Sequence, residues 1–229
     1  MKTIGLLGGI TWESTMEYYR GINQTINKRL GGYHSANIAM FSMDFAPVEK
    51  LQHAGDWDGV ARIMIDSARK VEAAGADFLV ICTNTLHKVA PEVERAIRIP
   101  LLHIADAVGE NALCRGFEAV GLLGTAFTME ESFYRDRLSE KHGLNVLVPE
   151  PADRRLIHDV IFNELCHGTV DDGSRSEYLR IIDDLASRGA DAIILGCTEF
   201  GMLVDQTHTR VPLLDTVEIH VRAAAGAAV

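Results

Sequence analysis

Basic side chains are scarce in this chain. Its 229 residues include 22 Lys and Arg against 32 Asp and Glu, for a formal net charge of −10. A phosphate backbone is gripped by clustered Lys and Arg, so the composition argues against nucleic-acid binding. Long apolar runs are missing too. No stretch approaches the roughly 20 residues that cross a bilayer, so no membrane segment is expected. Met1-Lys2-Thr3 leads straight into a short strand-like run, which predicts no secretory leader. Cysteine occurs four times, at 82, 114, 166 and 197, without a Cys-x-x-Cys pair. A chain of this length needs no disulfide staples, and a reducing cytoplasm is the expected location. The nine histidines show no H-E-x-x-H spacing, so no metal is expected. Gly8-Gly9 belongs to neither G-x-G-x-x-G nor G-K-[ST], so neither nucleotide fingerprint is met. No lysine stands in a context that marks a Schiff base. The expected chemistry therefore uses no cofactor.

What the chain does have is a repeat. Residues 75–85 read G-A-D-F-L-V-I-C-T-N-T and residues 189–199 read G-A-D-A-I-I-L-G-C-T-E. Aligned, they set Thr83 against Cys197, 114 residues apart. The match extends in the same order to Ile4–Gly9 with Val120–Thr125, to Glu17–Arg20 with Ser132–Arg135, and to Ile99–Leu102 with Val211–Leu214. A period above a hundred residues is too long for a solenoid unit. It predicts two related lobes, the first formed by residues 1–104 plus 211–229 and the second by 105–210.

Hydrophobic residues make up 47% of the chain, enough for real cores. Short β-branched runs alternate with segments of helical spacing. Strand-like runs fall at 3–8, 37–41, 78–81, 101–104, 118–123, 145–148, 192–195 and 211–214. Helical spacing covers 13–30, 57–73, 88–97, 129–141, 153–166 and 174–187, and residues 105–116 read as a crossover. This pattern predicts an α/β protein of two pseudo-symmetric lobes, each a mostly parallel sheet flanked by helices. Ligands in such sheets bind beyond the carboxyl ends of the strands. Gly8-Gly9, Thr83-Asn84-Thr85, Gly124-Thr125 and Cys197-Thr198-Glu199 all sit there, and they converge if the lobes face each other at an active site.

A thiol flanked by small polar groups at a strand end can serve as base or nucleophile once ionised. Cys197 fits that description, and backbone N–H groups after it are expected to favour its thiolate. Side chains alternate along a strand, so Thr83 should face the cleft and Cys82 the core. Gly8-Gly9 reads as a place where backbone approaches a small ligand closely. Ser14 and Thr15 suit the start of a helix. His87 either orients groups near Thr83 or caps the following helix.

Taken together, Gly8–Thr15 (G-G-I-T-W-E-S-T), Cys82–His87 (C-T-N-T-L-H) and Gly196–Glu199 (G-C-T-E) resemble the aspartate/glutamate racemases of the Asp/Glu/hydantoin racemase superfamily, in the bacterial branch with C-T-N-T. The resemblance spans essentially the whole chain. It implies racemisation of an amino acid without pyridoxal phosphate, in a homodimer, by two residues on opposite faces of the substrate Cα. Carried over, those positions are Thr83 and Cys197. Asn84, Thr85 and Thr198 would hold the carboxylate and amine, with Gly9, Ile10, Thr11, Thr125 and Glu199 as further contacts. Gln52 lies where related racemases carry a residue that binds the substrate side chain.

Three departures from the family pattern stand out. Thr83 replaces a cysteine, and a hydroxyl is far less acidic than a thiol. Gly8-Gly9-Ile10 replaces the D-S-G of glutamate racemases, pointing away from the cell-wall enzyme. Cys166 stands where some aspartate racemases carry a lysine. The implied function is interconversion of L- and D-aspartate or glutamate, biased to the L-enantiomer. The alternatives are a broad-specificity racemase, an enzyme like the one-cysteine arylmalonate decarboxylases, and a binding protein that has lost catalysis.

Overall fold

The computed structural model describes residues 1–229. Seven strands form: β1 (Ile4–Gly8), β2 (Ile38–Ser42), β3 (Phe78–Ile81), β4 (Ala119–Gly124), β5 (Asn145–Leu147), β6 (Ala192–Gly196) and β7 (Leu213–Asp215). They make two sheets, in the orders β2-β1-β3 and β5-β4-β6-β7. Every pairing is parallel. Strands β1, β3 and β6 are buried along their whole length, as parallel strands covered by helices must be. The edge strands β2 and β5 carry the exposed positions.

The internal repeat is a repeat of topology. β1, β2 and β3 correspond to β4, β5 and β6. Leu101 makes a single parallel bridge to Leu79, the counterpart of the Ile193–Leu213 pair that joins β6 to β7. The chain divides into one unit of Met1–Ile104 with His220–Val229, and a second of Ala105–Ile219. The repeat predicts that the chain returns to the first lobe at 211. The return comes at His220 instead, because β7 pairs with β6 and stays in the second sheet. The expected strand at 101–104 shrinks to the Leu101 bridge. The expected crossover is a helix, Ile104–Cys114.

Local chemistry explains the helices that lie near the strand ends. Helix Trp12–Leu30 is capped by Thr11, whose side chain accepts from the Ser14 N–H, and it buries Tyr18, Ile22 and Ile26 at a spacing of one turn. Helix Trp57–Ala73 is capped by Asp56 and buries Val60, Met64, Ala68 and Val71. These side chains meet Leu7, Leu79 and Ile81 in the core of the first unit. In the second unit, Ile157, Ile161, Tyr178 and Ile182 pack on Leu123, Ile193 and Leu195. The helical run expected at 129–141 is broken into Ala126–Glu130, Ser132–Asp136 and a π-helical turn at Arg137–Lys141.

That π-helical turn serves one carboxylate. Asp106 accepts two bonds from Arg137, at 2.7 and 2.7 Å, one from Lys141 at 2.6 Å, and faces His142 Nε2 at 3.2 Å. Burial tends to raise the Asp106 pKa, but the bonds from Arg137, Lys141 and His142 outweigh it and hold the carboxyl well below its usual range. Asp106→Asn is expected to cost about 2 kcal/mol in urea unfolding at pH 7. A depressed carboxyl stabilises fully above its unfolded pKa of about 4 and loses that contribution below it, so the difference from wild type should shrink in stronger acid. A variant as stable as wild type at pH 7 would sink this account of the turn.

Candidate active site

In the first unit the polar residues sit past the ends of β1 and β3. Gly9 has φ +92, and a Cβ there would lie 2.1 Å from the Met43 carbonyl oxygen. Its N–H donates to Thr15 Oγ1 at 2.8 Å, and Thr15 Oγ1 donates to the Thr11 carbonyl at 3.0 Å. The glycine therefore allows a close approach to the Met43 backbone. Ile10 is buried and its side chain belongs to the core. Thr11 caps its helix with Oγ1. Gln52 is buried on helix Phe45–His53, a helix absent from the sequence reading.

At the end of β3, burial sorts the two neighbours as strand alternation requires. Cys82 is fully buried, its N–H bonds to the Leu7 carbonyl at 2.9 Å, and burial pushes its thiol far up. Thr83 is half-buried, Asn84 is buried, and Thr85 opens the 3-10 turn Thr85–Val89. The Thr83 carbonyl accepts from His87 Nδ1 at 2.8 Å.

The second unit repeats the arrangement. Gly124 and Gly196 are register partners on β4 and β6, so Thr125 and Cys197 follow side by side. Thr125 is buried and caps Ala126–Glu130 by accepting from the Thr128 N–H, as Thr11 does for Ser14. The Cys197 thiol donates to Glu199 Oε2 at 3.0 Å. The Thr198 hydroxyl donates to the same oxygen at 2.5 Å. Enclosure by protein, then the Glu199 carboxylate and its hydrogen bond, push the Cys197 thiol well above its usual range. The resting group is a thiol. The thiolate expected from the sequence is not favoured here, because the helix after Cys197 is a single turn and the nearest charge is negative.

Two further side chains of the second unit are not revealed by the motifs: Tyr178, beside Cys197, and Asp215, the register partner of Leu195. Tyr178 donates to the Ile157 carbonyl at 3.1 Å, and burial with the nearby Cys197 and Glu164 raises its pKa. Asp215, at the end of β7, accepts from the Val217 and Glu218 N–H groups at 2.8 and 3.0 Å, and burial pushes its carboxyl up. Helical spacing on Asp172–Ser187 predicts that Tyr178 is buried, but not what it faces. Chemically, the second unit offers a thiol in contact with a proton acceptor. The first offers a hydroxyl beside buried amide and hydroxyl groups.

The sequence pattern of the Asp/Glu/hydantoin racemase family matches residues 7–224. A Yersinia pestis structure provisionally named an Asp/Glu racemase is 47% identical, with a TM-score of 0.95 over 100% of this chain and 99% of that one. An aspartate racemase homologue from Pyrococcus horikoshii OT3 is 35% identical, with a TM-score of 0.86 over 100% and 99% of the two chains. The broad specificity amino-acid racemase RacX of Bacillus subtilis is 24% identical over 218 residues, covering 93% of this chain and 92% of its own. The two parallel sheets flanked by helices match the two-lobe fold of these racemases. Sheet order, strand-end residues and likeness along the full chain agree: the chain belongs to the Asp/Glu/hydantoin racemase family, as an amino-acid isomerase.

Proposed function

We propose that this enzyme racemises aspartate or glutamate by moving protons at Cα, with Cys197 on one face and Thr83 on the other. The observation that carries the reading is the Cys197–Glu199 contact at a strand end whose repeat counterpart is Thr83. Cys197 passes its S–H proton to Glu199 Oε2. The resulting thiolate takes the α-hydrogen of the L-enantiomer, and a new S–H bond replaces the broken C–H bond. Thr83 delivers its hydroxyl proton to the opposite face of the carbanion and is resupplied by water. Glu199 then releases its proton to solvent, so protons balance over the cycle. Asn84, Thr85, Thr125 and Thr198 hold the carboxylate and amine, and their donors stabilise charge that develops at the carboxylate. Gln52 is the group we assign to the substrate side chain. Family resemblance supports a homodimer, and the pattern of cysteines supports a reducing cytoplasm.

The two faces are chemically unequal, so the two hands of the substrate should be too. In deuterated water, L-aspartate or L-glutamate is expected to exchange its Cα hydrogen at least about tenfold faster than the D-form, since a thiol is the far better proton carrier. Thr83→Cys should narrow that gap. Equal exchange from both enantiomers would overturn the assignment of unequal roles. Carbon dioxide release from an arylmalonate, with no exchange at any amino acid, would favour the decarboxylase reading instead.

A further inference from the structure

Beneath Thr83 lies a cluster of buried rings that the reaction above does not use: His87, His103, His220 and Tyr18. The His87 and His103 rings are 4.4 Å apart between centroids, and those of His87 and His220 are 6.0 Å apart. The cluster is not arranged to hold a metal ion. The hydrogen bonds of His87 are specific. Its Nδ1 lies 2.8 Å from the Thr83 carbonyl oxygen, which can only accept, so Nδ1 carries the proton. Its Nε2 lies 3.3 Å from the Ile104 N–H, which can only donate, so Nε2 is the acceptor. One neutral tautomer satisfies both bonds. A protonated ring would turn an N–H against an N–H. Burial, then the neighbouring His103 and His220, also keep the ring neutral.

The place of these bonds is what gives them a role. The ladder between β1 and β3 ends with the Cys82 N–H on the Leu7 carbonyl. Beyond it the Thr83 carbonyl has left the sheet and accepts from His87 Nδ1 instead. From the geometry we infer that His87 is a positioning residue for the Thr83 side of the reaction: its ring ties the Thr83–Asn84 peptide to Ile104 and so fixes where the Thr83 hydroxyl points. This rests on the reading of Thr83 as the proton donor. His87 contacts the Thr83 carbonyl and not its hydroxyl, so it acts through Thr83 and does not itself touch the substrate. A cap on helix Ile104–Cys114 would need only the Nε2 bond to the Ile104 N–H. The Nδ1 bond to the Thr83 carbonyl, added to it, makes the ring a brace with two fixed ends.

The test compares two variants by two readouts on aspartate and glutamate. Cα exchange of the L-enantiomer needs Cys197, whereas racemisation also needs a well-placed Thr83. His87→Gln carries its amide too far out to serve the Thr83 carbonyl. It is expected to lose about tenfold or more in racemisation while L-exchange stays within about twofold, since small misplacements at a reacting group cost that much. His87→Asn places an N–H where Nδ1 stood but leaves the Ile104 end unserved, and should restore part of the racemisation. Equal loss of exchange and racemisation in His87→Gln would mean a purely structural ring and overturn the inference, as would no loss in either. If His87→Gln fails to fold, His87→Ala decides by the same two readouts: a raised ratio of exchange to racemisation upholds the inference and an unchanged ratio overturns it. A wild-type protein that exchanges neither hand overturns the racemase reading itself, and this inference with it.

Discussion

Cys197→Ala is expected to abolish Cα exchange from L-aspartate and L-glutamate, a loss of about a thousandfold or more. A positioned acid–base group contributes roughly 10²–10⁴ to rate, and in the proposed reaction the thiol is the group that takes the α-hydrogen. Glu199 would remain in the variant, but the thiol to which its oxygen is bonded would be gone. Glu199→Gln separates the two effects of the carboxylate. The charge of Glu199 raises the thiol pKa, so neutralising it should ease ionisation of Cys197 and carry activity to lower pH. If Glu199 is instead required as the acceptor of the Cys197 proton, as proposed, the amide variant should lose about a hundredfold at every pH. Exchange by Cys197→Ala at more than a few per cent of wild type would remove Cys197 from the mechanism.

The second large effect is on acid stability. His220 is fully buried, with Nδ1 2.9 Å from the Tyr18 hydroxyl and Nε2 2.8 Å from the Leu102 carbonyl. The carbonyl can only accept, so Nε2 carries the hydrogen and Nδ1 accepts from Tyr18. Burial lowers the His220 pKa to about 4, against the pull of the Leu102 bond. In the unfolded chain the ring would titrate at about 6.5. Between those values the unfolded state binds the proton and the native state does not, so stability falls as pH falls from about 6.5 to 4. A lowering from 6.5 to about 4 corresponds to about 3 kcal/mol. His87 shifts the same way and adds to the loss. Urea unfolding at pH 7.5 and 4.5 should show the drop, and that window lies above the range where Asp106 titrates. His220→Asn should be less stable at pH 7.5 yet flatter with pH. A wild-type stability that stays level from pH 6.5 to 4.5 would refute the account.

Much of the fold could be read from residue spacing. Val60, Ile63, Met64, Ala68 and Val71 mark a helix that runs from Trp57 to Ala73, and Phe78–Ile81 is a strand as its short β-branched run implies. The repeat gave the pairing of Thr83 with Cys197 because one strand end was copied. Other parts were obscured for physical reasons. Leu101–Ile104 is an apolar run of the length at which strand and helix look alike, and Ile104 turned out to start a helix. Helix Phe45–His53 carries Pro47 in its first turn, where proline is tolerated although it reads as a breaker. The role of Glu199 depends on a turn that folds its carboxylate back onto the thiol two residues before it. His87, His103 and His220 share no motif, and only the three-dimensional fold brings them together.

One consequence concerns timing. The second unit is drawn from a single uninterrupted span of chain, whereas the first is completed only by His220–Val229. As the chain is synthesised, every strand of the later half is in hand before the earlier half receives its last piece. Until His220 emerges, the Tyr18 hydroxyl and the Leu102 carbonyl lack the ring that joins them. The ribosome thus delivers the thiol-bearing half first and the hydroxyl-bearing half last, in the reverse of the order in which the strands of the two halves are translated.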